Sequence, residues 1–316
     1  LLNIEVTWMR RTTLLKKMIN DPEILVMPGA YDVLSARLIE AAGFKAVQCS
    51  GFGFAASLLG LPDIGILSST QMLEITRNVC HAVDIPVMAD GDNGFGNAVN
   101  TYYTVREFEA AGAAGINLED QVSPKRCGHI TGKQCISAEE MVLKIKAARE
   151  AAKDPDFVIN ARTDAYMVLG IDEAIRRGNM YAKAGADLIF VEAVTSVEGI
   201  KRVIKEIDAP VSINLLQGGR TPLVTIQELQ EWGAARVSIP VTATMAAAWG
   251  AKQALEYIKE KGTIKGLPGV ISFEEFANFV ALDEIRDLES RYLTDEEISM
   301  RYQSRDGLEK AKAEHH

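Results

Sequence analysis

Short apolar runs alternate along the chain with longer segments in which apolar residues recur every three to four positions. The short runs are rich in β-branched residues and predict strands that are buried on both faces. The predicted strands are Ile24–Met27, Ala46–Cys49, Pro86–Ala89, Gly115–Leu118, Phe157–Ala161, Asp187–Val191, Pro210–Ile213 and Arg236–Ile239. The predicted helices are Val33–Ala42, Thr70–Val83, Thr104–Ala111, Ala138–Ala152, Ile171–Ala184, Val197–Glu206, Thr225–Trp232 and Thr242–Lys261.

Eight strand-plus-helix units on one chain predict an α/β protein with a (β/α)8 TIM-type barrel. Several predicted helices end in an Ala-Gly pair, as at Ala111-Gly112 and Ala184-Gly185, where glycine supplies the left-handed residue that stops a helix. An open doubly wound sheet is the alternative. The barrel is favoured because composition does not change between the two halves of the pattern.

Beyond Gly262 the pattern changes, and Phe273–Leu288 and Thr294–Tyr302 predict further helices with aromatic and leucine anchors. These helices exceed what a barrel needs, so they predict a C-terminal helical extension that packs on the barrel or on another subunit. The predicted domains are an N-terminal extension at residues 1–19, a barrel at 20–262 and C-terminal helices at 263–316.

Composition excludes several classes of protein. The 316 residues carry a net charge of −9, which argues against nucleic acid as a partner because a phosphate backbone needs a basic face. No apolar run approaches the ~18–20 residues of a membrane-spanning helix. Four irregularly spaced cysteines and the lack of a recognisable signal peptide predict a cytoplasmic protein.

Histidine is scarce. Of the four histidines, His315 and His316 end the chain, which leaves His81 and His129. Two histidines are too few for a multi-histidine metal site, whereas a site built from acidic oxygens remains open.

Acidic residues follow two neighbouring predicted strands. Asp90 and Asp92 follow the third strand and Glu119 the fourth, and the carboxyl ends of barrel strands meet at one face. Three converging carboxylates repel one another unless a cation lies between them. Mg²⁺ prefers oxygen ligands, so these residues predict a magnesium site. The alternative is that each acidic residue only caps the helix that follows it.

The loop after the fourth strand reads Lys125-Arg126-Cys127-Gly128-His129. Neighbouring cations favour a thiolate, so Cys127 is predicted to be a reactive thiol or a proton donor, against the alternative of a small buried apolar residue. Arg162 ends the fifth strand and is suited to bidentate recognition of a carboxylate. Its alternative role is an ion pair with Asp164 or Glu192 that only supports the barrel.

Taken together, these motifs resemble the phosphoenolpyruvate mutase/isocitrate lyase superfamily, from about Met27 to Ala247. The resemblance is carried by Ser50-Gly51, Leu61-Pro62-Asp63, Asp90-Gly91-Asp92, Glu119-Asp120-Gln121, the Cys127 loop, Ala161-Arg162-Thr163-Asp164, Asn214 and Gly218-Gly219-Arg220-Thr221-Pro222. It implies a barrel that exchanges its last helix with a neighbour, in a homotetramer built as a dimer of helix-swapped dimers. It also implies Mg²⁺, with Mn²⁺ as a substitute, and a small 2-hydroxy or 2-oxo dicarboxylic acid as the partner.

The resemblance further implies roles for individual residues. Asp90, Asp92 and Glu119 are the implied metal ligands. Cys127 is the implied acid that protonates the carbanion formed on C–C cleavage, and Arg162, His129 and Lys125 complete the implied catalytic set. The implied substrate-binding residues are Ser50, Gly51, Phe52, Gly128, Glu192 and Asn214.

These roles describe an enzyme, an oxo-acid-lyase, and the expected reaction is cleavage of 2,3-dimethylmalate to pyruvate and propionate. Methylisocitrate lyases tend to have a tyrosine at the position of Gln48. They also resemble Asn-x-Thr-Glu-Phe-Gly where this chain has Asn214-Leu215-Leu216-Gln217-Gly218-Gly219. Both differences disfavour a methylisocitrate substrate. The alternatives are methylisocitrate lyase, oxaloacetate hydrolase and carboxyphosphonoenolpyruvate phosphonomutase.

Overall fold

The computed structural model describes residues 9–128 and 130–313, and within them every predicted strand forms. The strands are β1 (Leu25–Ala30), β2 (Val47–Cys49), β3 (Val87–Asp90), β4 (Gly115–Glu119), β5 (Val158–Thr163), β6 (Leu188–Val191), β7 (Val211–Asn214) and β8 (Arg236–Ile239). Each strand is parallel to its neighbours in chain order, and β8 pairs with β1 in the register Leu25 opposite Arg236. The sheet is therefore a closed barrel, which confirms the predicted fold class and excludes an open sheet.

Helices separate the strands, and most of them lie where the periodicity predicts them. They are α1 (Arg11–Ile19), α2 (Val33–Ala41), α3 (Gly51–Leu59), α4 (Ser69–Ala82), α5 (Ala98–Ala110), α6 (Ala138–Ala151), α7 (Ala165–Leu169), α8 (Ile171–Ala184), α9 (Val197–Glu206), α10 (Ile226–Glu231) and α11 (Thr242–Lys261). Gly112 and Gly185 have φ of 98° and 115°, so both take the left-handed conformation expected at a helix end.

Within the barrel, three helices were not predicted from the pattern, and α5 starts six residues earlier than predicted. Helix α3 begins with two glycines in four residues, which weakens a helical signal, but the Ser50 hydroxyl accepts from the Gly53 amide and caps it. Helix α5 begins at Ala98 rather than Thr104 because the Asn97 side chain accepts from the amides of Val99 and Asn100. The other unpredicted barrel helices are α1 and α7.

Helix α1 lies in the stretch predicted to be an N-terminal extension. Its Leu15 and Ile19 are buried in a cluster with Met27, Met88 and Leu188, which are residues of the barrel strands. The helix therefore covers the end of the barrel at which the strands begin. The opposite end, where the strands finish, remains open for a site.

By the density of its internal contacts the chain divides into two units, the first ending at Ala247 and the second beginning at Ala248. The second unit contains most of α11 together with α12 (Phe273–Phe279), α13 (Leu282–Tyr292), α14 (Asp295–Tyr302) and α15 (Arg305–Ala313). The single helix predicted at Phe273–Leu288 is two helices, because Ala281 has a φ of 65° that interrupts it. The described helices include none long and apolar enough to cross a membrane.

Candidate active site

A cavity of about 870 Å³, including its open mouth, lies at the carboxyl ends of the strands. The predicted site residues that line it are Ser50, Gly51, Phe52, Asp90, Lys125, Cys127, Gly128, Arg162, Glu192 and Asn214. They come from the ends of five strands and the loop after β4, and the closed barrel brings them together. His129, which was predicted beside Cys127, lies outside the described residues.

Lys125 is the centre of an acidic cluster beside this cavity. Its Nζ lies 2.7 Å from Asp63 Oδ1 and 2.7 Å from Asp92 Oδ1, and its side chain is 6% exposed. Burial by itself would lower the lysine pKa, but the carboxylates of Asp92, Glu119, Asp63 and Asp90 raise it well above its ordinary value. Lys125 is therefore a buried ammonium whose charge is outweighed by four acidic groups.

Two members of the cluster are buried carboxyl groups with perturbed acidity. Burial raises the pKa of Asp92 to about 7, although Lys125 opposes the shift. Burial also raises the pKa of Glu119 well above its ordinary value, against the opposing charge of Arg162. Among the described residues, Glu119 Oε1 has no hydrogen-bond partner. Such crowded, incompletely paired carboxylates are costly unless additional positive charge is supplied.

The acidic cluster supplies the oxygen atoms that the predicted Mg²⁺ prefers as ligands. Within residues 9–128 and 130–313, no three His, Cys, Asp or Glu side chains lie close enough together to form a complete metal cage. Mg²⁺ does not require such a cage, because it keeps several waters and takes one or two carboxylates from the protein. The unpartnered Glu119 oxygen and the excess of acidic groups around Lys125 suit a hard cation of this kind. The residues therefore fit the ion.

Arg162 forms the wall of the cavity that faces Glu192. Its guanidinium binds Asp164 through two nitrogens, at 2.9 and 3.1 Å, and its Nη1 lies 3.2 Å from Glu192 Oε2. The carbon of the guanidinium lies 5.4 Å from the centre of the Phe190 ring. The ion pairs considered as the alternative role of Arg162 are thus present. They also hold the guanidinium at the cavity surface, where a carboxylate can reach it.

Asp164 links this wall to the loop. Although burial would raise the pKa of Asp164, Arg162 and Lys133 lower it to about 2. Lys133 Nζ lies 2.8 Å from Asp164 Oδ1 and donates to the Gly128 carbonyl at 2.5 Å. Lys133 was not recognised in the sequence, because its partner is 31 residues away.

The Cys127 loop is fastened at several points. The Gln121 side chain donates to the Arg126 carbonyl and accepts from the Arg126 amide, and the Cys127 amide donates to the Asp63 carbonyl at 2.9 Å. A β-carbon on Gly128 would overlap Glu192 Cγ and would lie 2.5 Å from Arg162 Nη2. The loop therefore packs so closely on the cavity wall that only glycine fits at this position, and Cys127 lines the cavity beside it.

Ser50 and Gly51 were predicted to bind the substrate, but the backbone amide of each already has a partner within the chain. The Ser50 amide donates to the Ala30 carbonyl at 3.0 Å, and the Gly51 amide donates to Asp90 Oδ2 at 2.9 Å. The Gly51 amide thus orients Asp90. The Ser50 hydroxyl oxygen, which accepts from Gly53, keeps its own hydrogen for a ligand.

Asp120 does not line the cavity but holds residues that do, a role that the sequence did not reveal. It is fully buried, and its Oδ2 accepts from Thr163 at 2.7 Å, Arg177 at 2.9 Å and Tyr181 at 2.7 Å. Its Oδ1 accepts from the Asp164 amide at 2.9 Å. Because Asp164 in turn holds Arg162, Asp120 fixes the cavity wall from within the protein.

Fold and site together define a class: a (β/α)8-barrel enzyme with an acidic, oxygen-rich site under a close-fitting loop. Residues 15–259 match the phosphoenolpyruvate phosphomutase family. The chain belongs to this family, within the phosphoenolpyruvate mutase/isocitrate lyase superfamily, which confirms the resemblance and the prediction of an enzyme.

Three relatives show how much of the chain the likeness covers. The chain is 42% identical over 281 residues to the 2,3-dimethylmalate lyase of Eubacterium barkeri, covering 89% of this chain and 97% of that one. It is 43% identical over 288 residues to the chloroplastic carboxyvinyl-carboxyphosphonate phosphorylmutase of Arabidopsis thaliana, covering 90% and 85%. A solved phosphonopyruvate hydrolase in complex with oxalate and Mg²⁺ superimposes with a TM-score of 0.83 at 32% identity, covering 90% and 100%.

Proposed function

We propose that the protein is a Mg²⁺-dependent carbon–carbon lyase that cleaves a substituted malate, with 2,3-dimethylmalate as substrate and pyruvate and propionate as products. The observation that carries the proposal is the position of Cys127, which lines the same cavity as Asp90, Lys125 and Arg162. The 42% identity to a protein named 2,3-dimethylmalate lyase supports the same substrate class.

Asp90, Asp92 and Glu119 would hold the ion, which when bound acts as a Lewis acid on substrate oxygens. Arg162 offers a cationic fork to the carboxylate of the pyruvyl half, and the Ser50 hydroxyl offers a further hydrogen-bond donor. Asn214 lines the same cavity, and its Oδ1 is buried with no hydrogen-bond partner among the described residues. Its amide is therefore available to a polar substrate group.

Cleavage of the malate requires loss of the hydroxyl proton and breakage of the bond between carbons 2 and 3. The electron pair of that bond passes to carbon 3, which becomes the α-carbon of propionate. Cys127 is the proposed general acid that delivers a proton to this carbon. The close packing of Gly128 on the cavity wall keeps the neighbouring thiol at the cavity.

A product assay tests the proposal. The purified protein with Mg²⁺ is offered 2,3-dimethylmalate, and release of pyruvate is followed. Cys127→Ser should abolish turnover while leaving binding of Mg²⁺ and pyruvate intact. Cys135→Ser is the matched control, because Cys135 is a cysteine of the same loop region that does not line the cavity. Normal turnover by Cys127→Ser would show that the thiol is not the acid.

A phosphonomutase is the second candidate, because the identity to the Arabidopsis phosphorylmutase is as high as that to the lyase. Phosphorus NMR with carboxyphosphonoenolpyruvate separates the two, since only a mutase forms a new carbon–phosphorus bond. Including methylisocitrate and oxaloacetate in the product assay tests the remaining alternatives.

We further propose that the enzyme is a cytoplasmic homotetramer built from helix-swapped dimers. Helix α11 supports this assembly, because all its residues are at least partly exposed and Trp249 and Leu255 are 63% and 66% exposed. An apolar helix face of this kind is covered when a second copy packs on it. Light scattering on the purified chain should give the mass of four chains, and a monomeric mass would contradict the assembly.

A further inference from the structure

The polar surface of the cavity continues below the predicted site. Side chains on one face of a strand recur at every second residue, so Arg236 and Ser238 of β8 both point into the barrel. They are 1% and 4% exposed, and both line the cavity together with Gln48 of β2. These three residues form what we call the cavity floor. None of them was predicted as part of the site.

Arg236 is a buried cation with no acidic partner. No Asp or Glu carboxylate lies within 4.0 Å of it in the described parts of the chain, and burial lowers its pKa to about 9. Its hydrogen-bond partners are neutral: it donates to Gln48 Oε1, and its Nη1 lies 2.9 Å from the oxygen of a suitably oriented Asn160 amide. Its Nε has no partner among the described residues. The floor therefore carries uncompensated positive charge.

Arg236 also determines how the Gln48 amide is oriented. A guanidinium has donors only, so the Gln48 oxygen must face Arg236 and the Gln48 nitrogen must face away from it. That nitrogen donates one hydrogen to Ser238 Oγ at 2.7 Å, which leaves its second hydrogen for another acceptor. Ser238 accepts in this bond and keeps its own hydrogen. The floor thus presents hydrogen-bond donors to the cavity.

We propose that the cavity floor is a specificity-determining subsite that recognises an anionic oxygen of the substrate, with Gln48 as the contacting donor and Arg236 as the residue that positions it. The identity of the substrate rests on the proposed lyase function, but the recognition of an anionic oxygen does not. A small dianion such as oxalate is therefore a sufficient probe.

The decisive variant is Gln48→Glu. It has nearly the same shape, and its carboxylate would pair with Arg236, so the fold should be retained. It replaces the amide donor with a carboxylate, which accepts hydrogen bonds and has the same negative charge as oxalate. The affinity for oxalate in the presence of Mg²⁺, measured by calorimetry, should therefore fall at least about 100-fold. Gln48→Met removes the donor alone and should weaken binding about 10-fold. Ser212→Ala is the matched control, because Ser212 is a buried polar residue of β7 outside the cavity, and it should bind as the wild type does.

The positioning role of Arg236 is tested by a double-mutant cycle. In the wild-type background, Arg236→Met should weaken oxalate binding about 10-fold. In the Gln48→Met background, the same substitution should have little effect. Equal losses in both backgrounds would mean that Arg236 acts independently of Gln48, which overturns the positioning role. Wild-type affinity in Gln48→Glu, or no oxalate binding by the wild type, would overturn the subsite itself.

Failure of this inference can be told apart from failure of the proposed function. A protein that cleaves 2,3-dimethylmalate but whose Gln48→Glu variant binds oxalate normally would retain its function and lose the subsite. A protein that cleaves no malate but whose oxalate affinity depends on Gln48 as described would retain the subsite and lose the function.

Discussion

We expect the Asp63 side chain to hold the Cys127 loop in its position at the cavity. Its carboxylate lies 2.7 Å from Lys125 Nζ, and its carbonyl accepts from the Cys127 amide at 2.9 Å. The side chains of Asp63 and Lys125 are 11% and 6% exposed, so solvent screens their ion pair little. Asp63, which lies outside the loop, therefore holds the loop through two contacts.

The variant Asp63→Ala removes the carboxylate and keeps the backbone carbonyl. A hydrogen bond between charged groups contributes about 1.5–3 kcal/mol, which corresponds to about a 10- to 150-fold larger population of open loop. The barrel itself should be unaffected, because Lys125 keeps its bond to Asp92 and stays paired. The expected effect is a change in loop opening rather than in global unfolding.

Limited proteolysis with trypsin measures this opening without any assumption about the reaction. Trypsin cleaves after Lys125 and Arg126, and when opening is fast relative to cleavage the cleavage rate follows the open population. Cleavage at these two residues should accelerate about 10- to 150-fold in Asp63→Ala, in line with the larger open population. The same variant should turn over more slowly in the product assay, because Cys127 spends more time away from the cavity.

Asp84→Ala is the matched control for the proteolysis experiment. Asp84 also forms an ion pair, with Arg11 at 3.1 Å, but its side chain is fully exposed and its partner belongs to α1, which covers the opposite end of the barrel. Surface pairs of this kind contribute little, so cleavage should match the wild type. If Asp63→Ala were also cleaved at the wild-type rate, the loop would be held by its other contacts, and the expected role of Asp63 would be refuted.

Three further outcomes are expected. Gly128→Ala should lower kcat/KM strongly because its β-carbon overlaps Glu192, and a wild-type kcat/KM would contradict the close packing at this position. Glu119→Gln should abolish the rise in Tm that Mg²⁺ produces. Without metal, the variant should be as stable as the wild type or more stable, because a costly buried charge is removed. A wild-type response of Tm to Mg²⁺ would exclude Glu119 as a ligand. Asp120→Ala should lower the free energy of unfolding in urea by about 3–5 kcal/mol, since it leaves the buried Arg177 without this partner; a loss under about 1 kcal/mol would contradict its supporting role.

The sequence predicted the barrel well because its signal is local. Each strand is a short apolar run, and each helix has its own period and its own stop, so eight units can be recognised one at a time. The residues at the strand ends were recognised for the same reason. Asp90, Glu119 and Arg162 each directly end an apolar run, and parallel strands bring such ends to one face of the barrel.

What the sequence did not reveal are pairings between distant positions. Asp63 lies 62 residues before Lys125, and Gln48 lies 188 residues before Arg236, so nothing local indicates that either residue pairs with its partner. Arg236 was placed correctly in a strand that was described as apolar. Its charge was overlooked because a short strand with two buried faces has no alternation to show which side chains enter the barrel.

The two missed pairings, Asp63 with Lys125 and Gln48 with Arg236, share a physical cause. In a barrel whose interior is filled by branched apolar side chains, the reactive groups are confined to the rim. Here the layer below the rim is polar as well: Gln48, Asn160 and Arg236 are all buried, and Arg236 contacts the other two from a different strand. A buried polar group is stable only with partners, so each of these residues constrains the next. The chemistry of the rim therefore depends on a network that becomes visible only when the strands are placed side by side.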